Sequence, residues 1–218
     1  MMNIDTIIFD LDGTLWSPLA GTIQAWHNVL SRFPGLRGPI SGQEIAAYLG
    51  YNTEDIADRL FPDVDRDLRG RLMRECSREE KKVLGATGGA LFPGVEDTLK
   101  YLAERYQLAI VSNCDCGYIE CFLTAHRLWS RFCGFECYGN TGRSKGENIL
   151  AVMKRLQSGK AIYVGDMILD QQAAQAAGIP FVFAAYGFAE SCTRPQIWDY
   201  RICAFPQLID IVENKTPR

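Results

Sequence analysis

The segment "TIIFDLDGTLW" at residues 6–16 constrains the chain most, because a run of apolar, largely β-branched residues passes directly into two acids, Asp10 and Asp12, one leucine apart. An apolar run without alternation marks a strand buried on both faces, the condition of a parallel sheet covered on both sides. Two carboxylates set at the end of such a strand repel each other and lose hydration, so the arrangement calls for cationic partners.

Further continuous apolar runs occur at residues 107–111, 160–164 and 180–184, with weaker ones near 134–138 and 200–203. Segments of helical period lie between them: "PGVEDTLKYLAERY", "GYIECFLTAHRLW", "GENILAVMKRLQ" and "DQQAAQAAGI". This alternation predicts an α/β fold with a parallel sheet. Almost a hundred residues separate the first strand from the second, whereas a crossover needs roughly a dozen plus its helix. Residues 19–84 read as several helices without a strand, bracketed by "LWSP" and "GATGGALFPG". The expected organisation is a core at 1–16 and 87–218 with a helical cap inserted at 17–86.

Bulk properties narrow the partners. With 47% hydrophobic and 22% charged residues and a net charge of -3, the composition is globular and offers no broad attraction to nucleic acid or anionic lipid. "MMNIDTIIFD" lacks the basic region and long apolar run of a signal peptide, and no stretch approaches a membrane span. A cytoplasmic location is therefore expected, with the eight cysteines reduced. Nothing in the sequence assigns an oligomeric state.

Ligands of open parallel sheets bind beyond the carboxyl ends of the strands. Three predicted strands end there in polar residues: "DLDGT", "SN" (Ser112, Asn113) and "GDMILD" (Asp166, Asp170), while Lys145 in "GRSKGEN" opens a helix between the second and later strands. Hard oxygen donors with little nitrogen or sulfur favour Mg²⁺. These motifs, in this order and with "FPGV" at the return from the cap, resemble the haloacid dehalogenase superfamily, specifically its phosphatases with a helical cap, of the phosphoglycolate phosphatase and β-phosphoglucomutase type.

The resemblance implies a Rossmann-like core and a Mg²⁺-dependent phosphatase acting on a small phosphorylated metabolite. Asp10 would be the nucleophile, giving an aspartyl phosphate, and Asp12 the acid that protonates the leaving alcohol and then activates water. Ser112, Asn113 and Lys145 would hold the phosphoryl oxygens; Asp10, the backbone carbonyl of Asp12, and Asp166 would hold the metal; Gly13, Thr14 and Asp170 would support the loops. "YLGYNTEDI" resembles the substrate-contacting cap loop, which makes Gly50, Tyr51 and Asn52, with Trp16 in the first linker, candidates to line the pocket, Tyr51 and Trp16 being equally suited to packing between cap and core.

A sugar phosphomutase using the same acids is the alternative enzyme, and a catalytically silent binding module the alternative of another class; intact Asp10 and Asp12 weigh against the second. Haloacid dehalogenation is disfavoured by the presence of Asp12. "DVDRD" imitates a calcium loop but carries Leu68 where glycine is required and Arg74 where glutamate belongs, so it reads as a helix start. "GATGGA" lacks the lysine and hydroxyl of a P-loop, and neither His27 nor His126 has a partner histidine. Cys114, Cys116, Cys121, Cys133 and Cys137 lack the paired spacing of a zinc ribbon and read as buried thiols.

Overall fold

The computed structural model describes residues 3–36, 40–188 and 198–214. In chain order, β1 (Thr6–Phe9) and the two-residue β2 (Trp16–Ser17) precede four helices, α1 (Leu19–Leu30), α2 (Gly42–Tyr48), α3 (Thr53–Leu60) and α4 (Arg66–Thr87), and the short β3 (Ala90–Leu91). There follow α5 (Val95–Ala103), β4 (Gln107–Ser112), α6 (Tyr118–Ala125), β5 (Gly134–Cys137), α7 (Tyr138–Thr141) and α8 (Lys145–Arg155). The last elements are β6 (Ala161–Gly165), α9 (Ile168–Ala177), β7 (Phe181–Ala184), β8 (Tyr200–Ile202) and α10 (Leu208–Val212).

Six strands form one parallel sheet in the order β5-β4-β1-β6-β7-β8. β1 lies between β4 and β6, with Phe9 opposite both Ile110 and Val164. The chain order reverses beside β1, and the crevice beyond the strand ends at such a point is where α/β sheets bind ligands. The period of two divides the sheet residues between two cores. Ile7, Phe9, Ile110 and Val164 pack with Leu99, Phe122 and Leu208, whereas Ile8, Ala109, Val111 and Tyr163 pack with Ile149 and Ala173. Burial on both faces explains why the sequence shows continuous apolar runs rather than alternation.

Helices α1 to α4 stand between β2 and β3 and bury a separate cluster that includes Trp26, Val29, Ile45, Phe61 and Met73. The α/β core thus carries an inserted helical unit, and we propose 17–86 as its limits. Ser41 and Glu44 form a capping box on α2, and Asp65 caps α4 by accepting from the Asp67 and Leu68 backbone N–H groups. That cap is the role "DVDRD" takes.

The connections are more regular than "LWSP" and "GATGGALFPG" suggest. Trp16 pairs with Leu91 and Ser17 with Ala90 in antiparallel register, so the chain leaves and re-enters the core at one point. Two-residue strands are too short to display a period. α4 also runs through Thr87, ending where Gly88 takes φ 74°.

Leu84, near the end of α4, is fully buried and joins the core cluster rather than the cap cluster. Leu84→Ala is expected to lower the unfolding free energy by about 2–5 kcal/mol in urea denaturation. A loss below about 1 kcal/mol would show that this helix end is not packed as described.

Candidate active site

Asp10 follows β1, Asp166 follows β6, Asp170 lies in the first turn of α9, and Lys145 begins α8. All four are buried. Carboxylate oxygens of Asp10, Asp166 and Asp170 lie within 4.8 Å of one another. Lys145 Nζ donates to Asp10 Oδ1 at 2.9 Å and to Asp170 Oδ1 at 2.6 Å. Asp170 Oδ2 accepts from the Met167 N–H at 2.8 Å, so Asp170 locks the loop between β6 and α9. Asp10 Oδ2, buried, has no hydrogen-bond partner.

Three carboxylates around one ammonium leave an excess of buried negative charge. Burial and the Asp170 carboxylate push the Asp10 pKa up to about 6 against the pull of Lys145. Burial, Asp170 and Asp10 raise Asp166 well above the carboxylate range. Burial draws the Lys145 ammonium down, but Asp10 and Asp170 overcome it, and its pKa stands above the ordinary lysine value. The all-oxygen donor set and its excess negative charge fit a hard divalent cation.

Asp166 is fixed from two further sides. The Phe188 N–H donates to its Oδ2 at 2.7 Å, and Thr14 Oγ1 to its Oδ1 at 3.4 Å. Gly13 has φ +82°, and a Cβ there would sit 2.2 Å from Asp166 Oδ2. Gly187 is confined likewise, since its Cβ would meet Asp166 Cβ at 2.4 Å. Glycine at 13 is thus required both by backbone conformation and by this close approach. Tyr186 OH donates to the Thr14 carbonyl at 2.8 Å, tying the same loop to the end of β7.

Asp12 stands apart from the three-carboxylate cluster. Its Oδ1 accepts from Trp16 Nε1 at 2.7 Å and from Tyr118 OH at 3.2 Å. Burial, Asp10 and Glu80 push its pKa up to about 8, against these two hydrogen bonds. Trp16 takes the packing place: it is fully buried, edge-on to Tyr118, Phe122 and His126, and does not line the cavity. Its indole N–H orients an acid that the sequence had already singled out.

Ser112 and Asn113, at the end of β4, line a cavity of ≈ 60 Å³ between cap and core together with Asp12, Gly50 and Tyr51. Asn113 Nδ2 donates to the Gly50 carbonyl at 2.9 Å, and Thr53 Oγ1 to Asp115 Oδ1 at 2.6 Å, so α3 and its preceding loop are latched to the core. Lys81 Nζ adds a bond to the Cys116 carbonyl at 2.7 Å. Asn52 caps α3 by accepting from the Asp55 N–H at 2.9 Å and faces an outer recess with Lys145 rather than the main cavity. The residues that the sequence did not single out are Tyr118, Tyr186, Gly187, Phe188 and Glu80. "AAYGF" after β7 could have signalled three of them, since it too follows a strand's carboxyl end.

Among the described residues, the three-carboxylate group is the one cluster of possible metal ligands, and the cysteines contribute to none. The seven described cysteines are free thiols, but of the five read from the sequence as buried only Cys137 is, whereas Cys114 and Cys121 are half-buried and Cys116 and Cys133 lie exposed. No helix among the described residues is long and apolar enough to cross a membrane.

The sequence model of the haloacid dehalogenase-like hydrolases matches residues 7–184, and the chain belongs to that family. A phosphoglycolate phosphatase of Salmonella typhimurium is 27% identical over 215 residues, covering 86% of this chain and 84% of that protein. One from Photorhabdus laumondii is 29% identical over 198 residues, covering 86% and 83%. Among solved structures, a haloacid dehalogenase-like hydrolase from Bacteroides fragilis superposes with a TM-score of 0.80 at 25% identity, covering 93% of this chain and 98% of its own. A haloacid dehalogenase-like family protein from Streptococcus pneumoniae shares the fold with a TM-score of 0.80 at 22% identity over 97% and 99% of the two chains.

The raised acids link metal-free stability to pH. Folded values of about 6 for Asp10, about 7 for Glu80 and about 8 for Asp12 exceed the values near 4 of unfolded carboxyls, so the folded state binds more protons in between. Their contribution is full below about pH 4 and is lost as pH rises toward about 8. In the presence of chelator the melting temperature should fall from pH 5 to pH 8, and Mg²⁺ should recover it most at pH 8. A melting temperature that rises over this range in chelator, or that ignores the cation, would contradict the charge assignment.

Proposed function

We propose that the protein is a Mg²⁺-dependent phosphatase that hydrolyses a small phosphate monoester through phosphorylation of Asp10. The observation that carries the reading is the pairing of two acids in different environments on one loop, Asp10 beside Lys145 and Asp12 held by Trp16 and Tyr118. The relatives named as phosphoglycolate phosphatases support the reaction class.

Asp10, Asp166 and the Asp12 backbone carbonyl would hold the cation, with Asp170 anchoring Lys145 and the loop. Bound there, the cation would neutralise the carboxylates and the incoming phosphoryl oxygens. Asp10 presents the unpaired Oδ2 for attack on phosphorus while Lys145 fixes its other oxygen. Asp12, whose pKa of about 8 keeps it protonated at neutral pH, gives its proton to the departing alcohol oxygen. Its conjugate base then takes a proton from the water that cleaves the acyl phosphate. Ser112, Asn113 and Lys145 would receive the phosphoryl oxygens at the cavity mouth.

The helical insertion between β2 and β3 acts as a cap that excludes water during transfer, and the paired linkers are its hinge. A phosphomutase would return the phosphoryl group to the bound sugar; the relatives named as phosphatases favour hydrolysis.

Two variants test the assignment. Asp10→Asn should reduce turnover of a responsive phosphate ester on the order of 10³-fold or more with an unchanged melting profile at pH 5; retained hydrolysis would refute the nucleophile. Trp16→Phe removes a hydrogen bond that holds the Asp12 pKa down. The alkaline limb of the kcat/KM profile, where Asp12 loses its proton, should therefore move to higher pH. An unmoved limb would mean that another group sets it.

A further inference from the structure

The cavity between cap and core contains a second acid, remote in sequence from every motif. Glu80, on α4, lines it together with Thr22, Trp26, Ser77 and Asp115, opposite apolar and aromatic side chains that include Tyr48 and Ile56. Thr22, buried on α1, donates through Oγ1 to Glu80 Oε1. One donor leaves most of a carboxylate's acceptor capacity unused. Beside it, the indole of Trp26 is only 5% exposed, and its Nε1–H is buried without a hydrogen-bond partner. The indole lies near enough to favour the charged form of Glu80.

A half-buried acceptor with capacity to spare thus adjoins a buried donor that has no well-formed hydrogen bond. An ammonium group could serve Glu80 but has nothing to offer the indole N–H. A carboxylate could serve the indole but would meet Glu80 as a like charge. A hydroxyl donates and accepts at once, and it alone of the three satisfies both. The lining points the same way: among the described residues of the cavity there is no Lys, Arg or His. An anionic leaving group would be bound there without a counter-charge, at a desolvation penalty that no lining residue offsets. The relatives at 27% and 29% identity are named for an ester whose alcohol, glycolate, is itself an anion.

We propose that the substrate is the phosphate ester of an uncharged polyhydroxy alcohol, a polyol or sugar, selected by Glu80 and Trp26 gripping one of its free hydroxyls. The proposal rests on the phosphatase reading for its reaction but on the cavity alone for its ligand. The aromatic and aliphatic wall suits the C–H face of such a molecule.

The test compares erythritol 4-phosphate, sorbitol 6-phosphate and 2-phosphoglycolate on the full chain with Mg²⁺, by turnover on the wild type and by calorimetric binding on Asp10→Asn. At least one polyol ester should exceed phosphoglycolate by about tenfold or more in kcat/KM and in affinity, the increment expected of a charge-assisted hydrogen bond. Glu80→Gln and Trp26→Phe should each narrow that ratio by about tenfold, chiefly through KM. Equal or better binding of phosphoglycolate, or a ratio that neither variant changes, overturns the proposal, as does failure to bind any polyol ester. Absence of turnover with every ester, the binding preference being intact, would overturn the phosphatase reading while supporting polyol-phosphate recognition.

Discussion

The burial of Asp10, Asp166 and Asp170 around the single ammonium of Lys145 is the interaction on which the rest of the structure depends. A buried ion pair roughly offsets its desolvation only when its remaining valences are satisfied. Here three acids share one lysine, and an oxygen of Asp10 is left without a partner. The surrounding elements are arranged to hold this unfavourable charge in place: the Met167 and Phe188 N–H groups fix Asp170 and Asp166, and glycines at 13 and 187 allow the backbone to close over Asp166. The β1 position between β4 and β6 brings the contributing strand ends together in the first place.

The second acid of the loop is governed by different physics. Asp12 is raised by burial and by neighbouring carboxylates, and it is oriented by Trp16 and Tyr118 from the first linker and α6. On the proposed reading, its environment and that of Asp10 would divide nucleophilic and proton-transfer roles between residues of one chemical type. Phe188 connects the carboxylate cluster to the cap, since its N–H holds Asp166 while its side chain packs against the cap cluster. The helical insertion and the loop that carries the site thus share a contact residue.

Much of this was legible in the sequence because the signals were local. Strands buried on both faces read as unbroken apolar runs, and polar residues directly after them marked the crevice; Asp10 and Asp166 converge for that reason, joined by Asp170 and Lys145 from the first turns of α9 and α8. What could not be read depends on tertiary direction. Trp16 was a candidate for the pocket or for packing, and only the pairing of Ser17 with Ala90 and Trp16 with Leu91 turns its indole inward to Asp12. Asn52 lay within the segment read as the substrate loop, yet its side chain is used as the cap of α3. Glu80 and Trp26 were invisible because each looks like an ordinary member of an amphipathic helix, and their neighbourhood arises from α1 packing on α4. Charge at a strand end leaves a mark in the sequence; charge on a helix face does not.

The central claim is that Asp10 bonds covalently to phosphorus during turnover. Acid quench of the protein mixed with a hydrolysable ester and Mg²⁺, followed by borohydride reduction and peptide mass analysis, measures this directly, because reduction converts an aspartyl phosphate to homoserine. The account predicts homoserine at position 10, dependent on both ester and cation. Turnover without any reduction at Asp10, or reduction at Asp12 in its place, would contradict it.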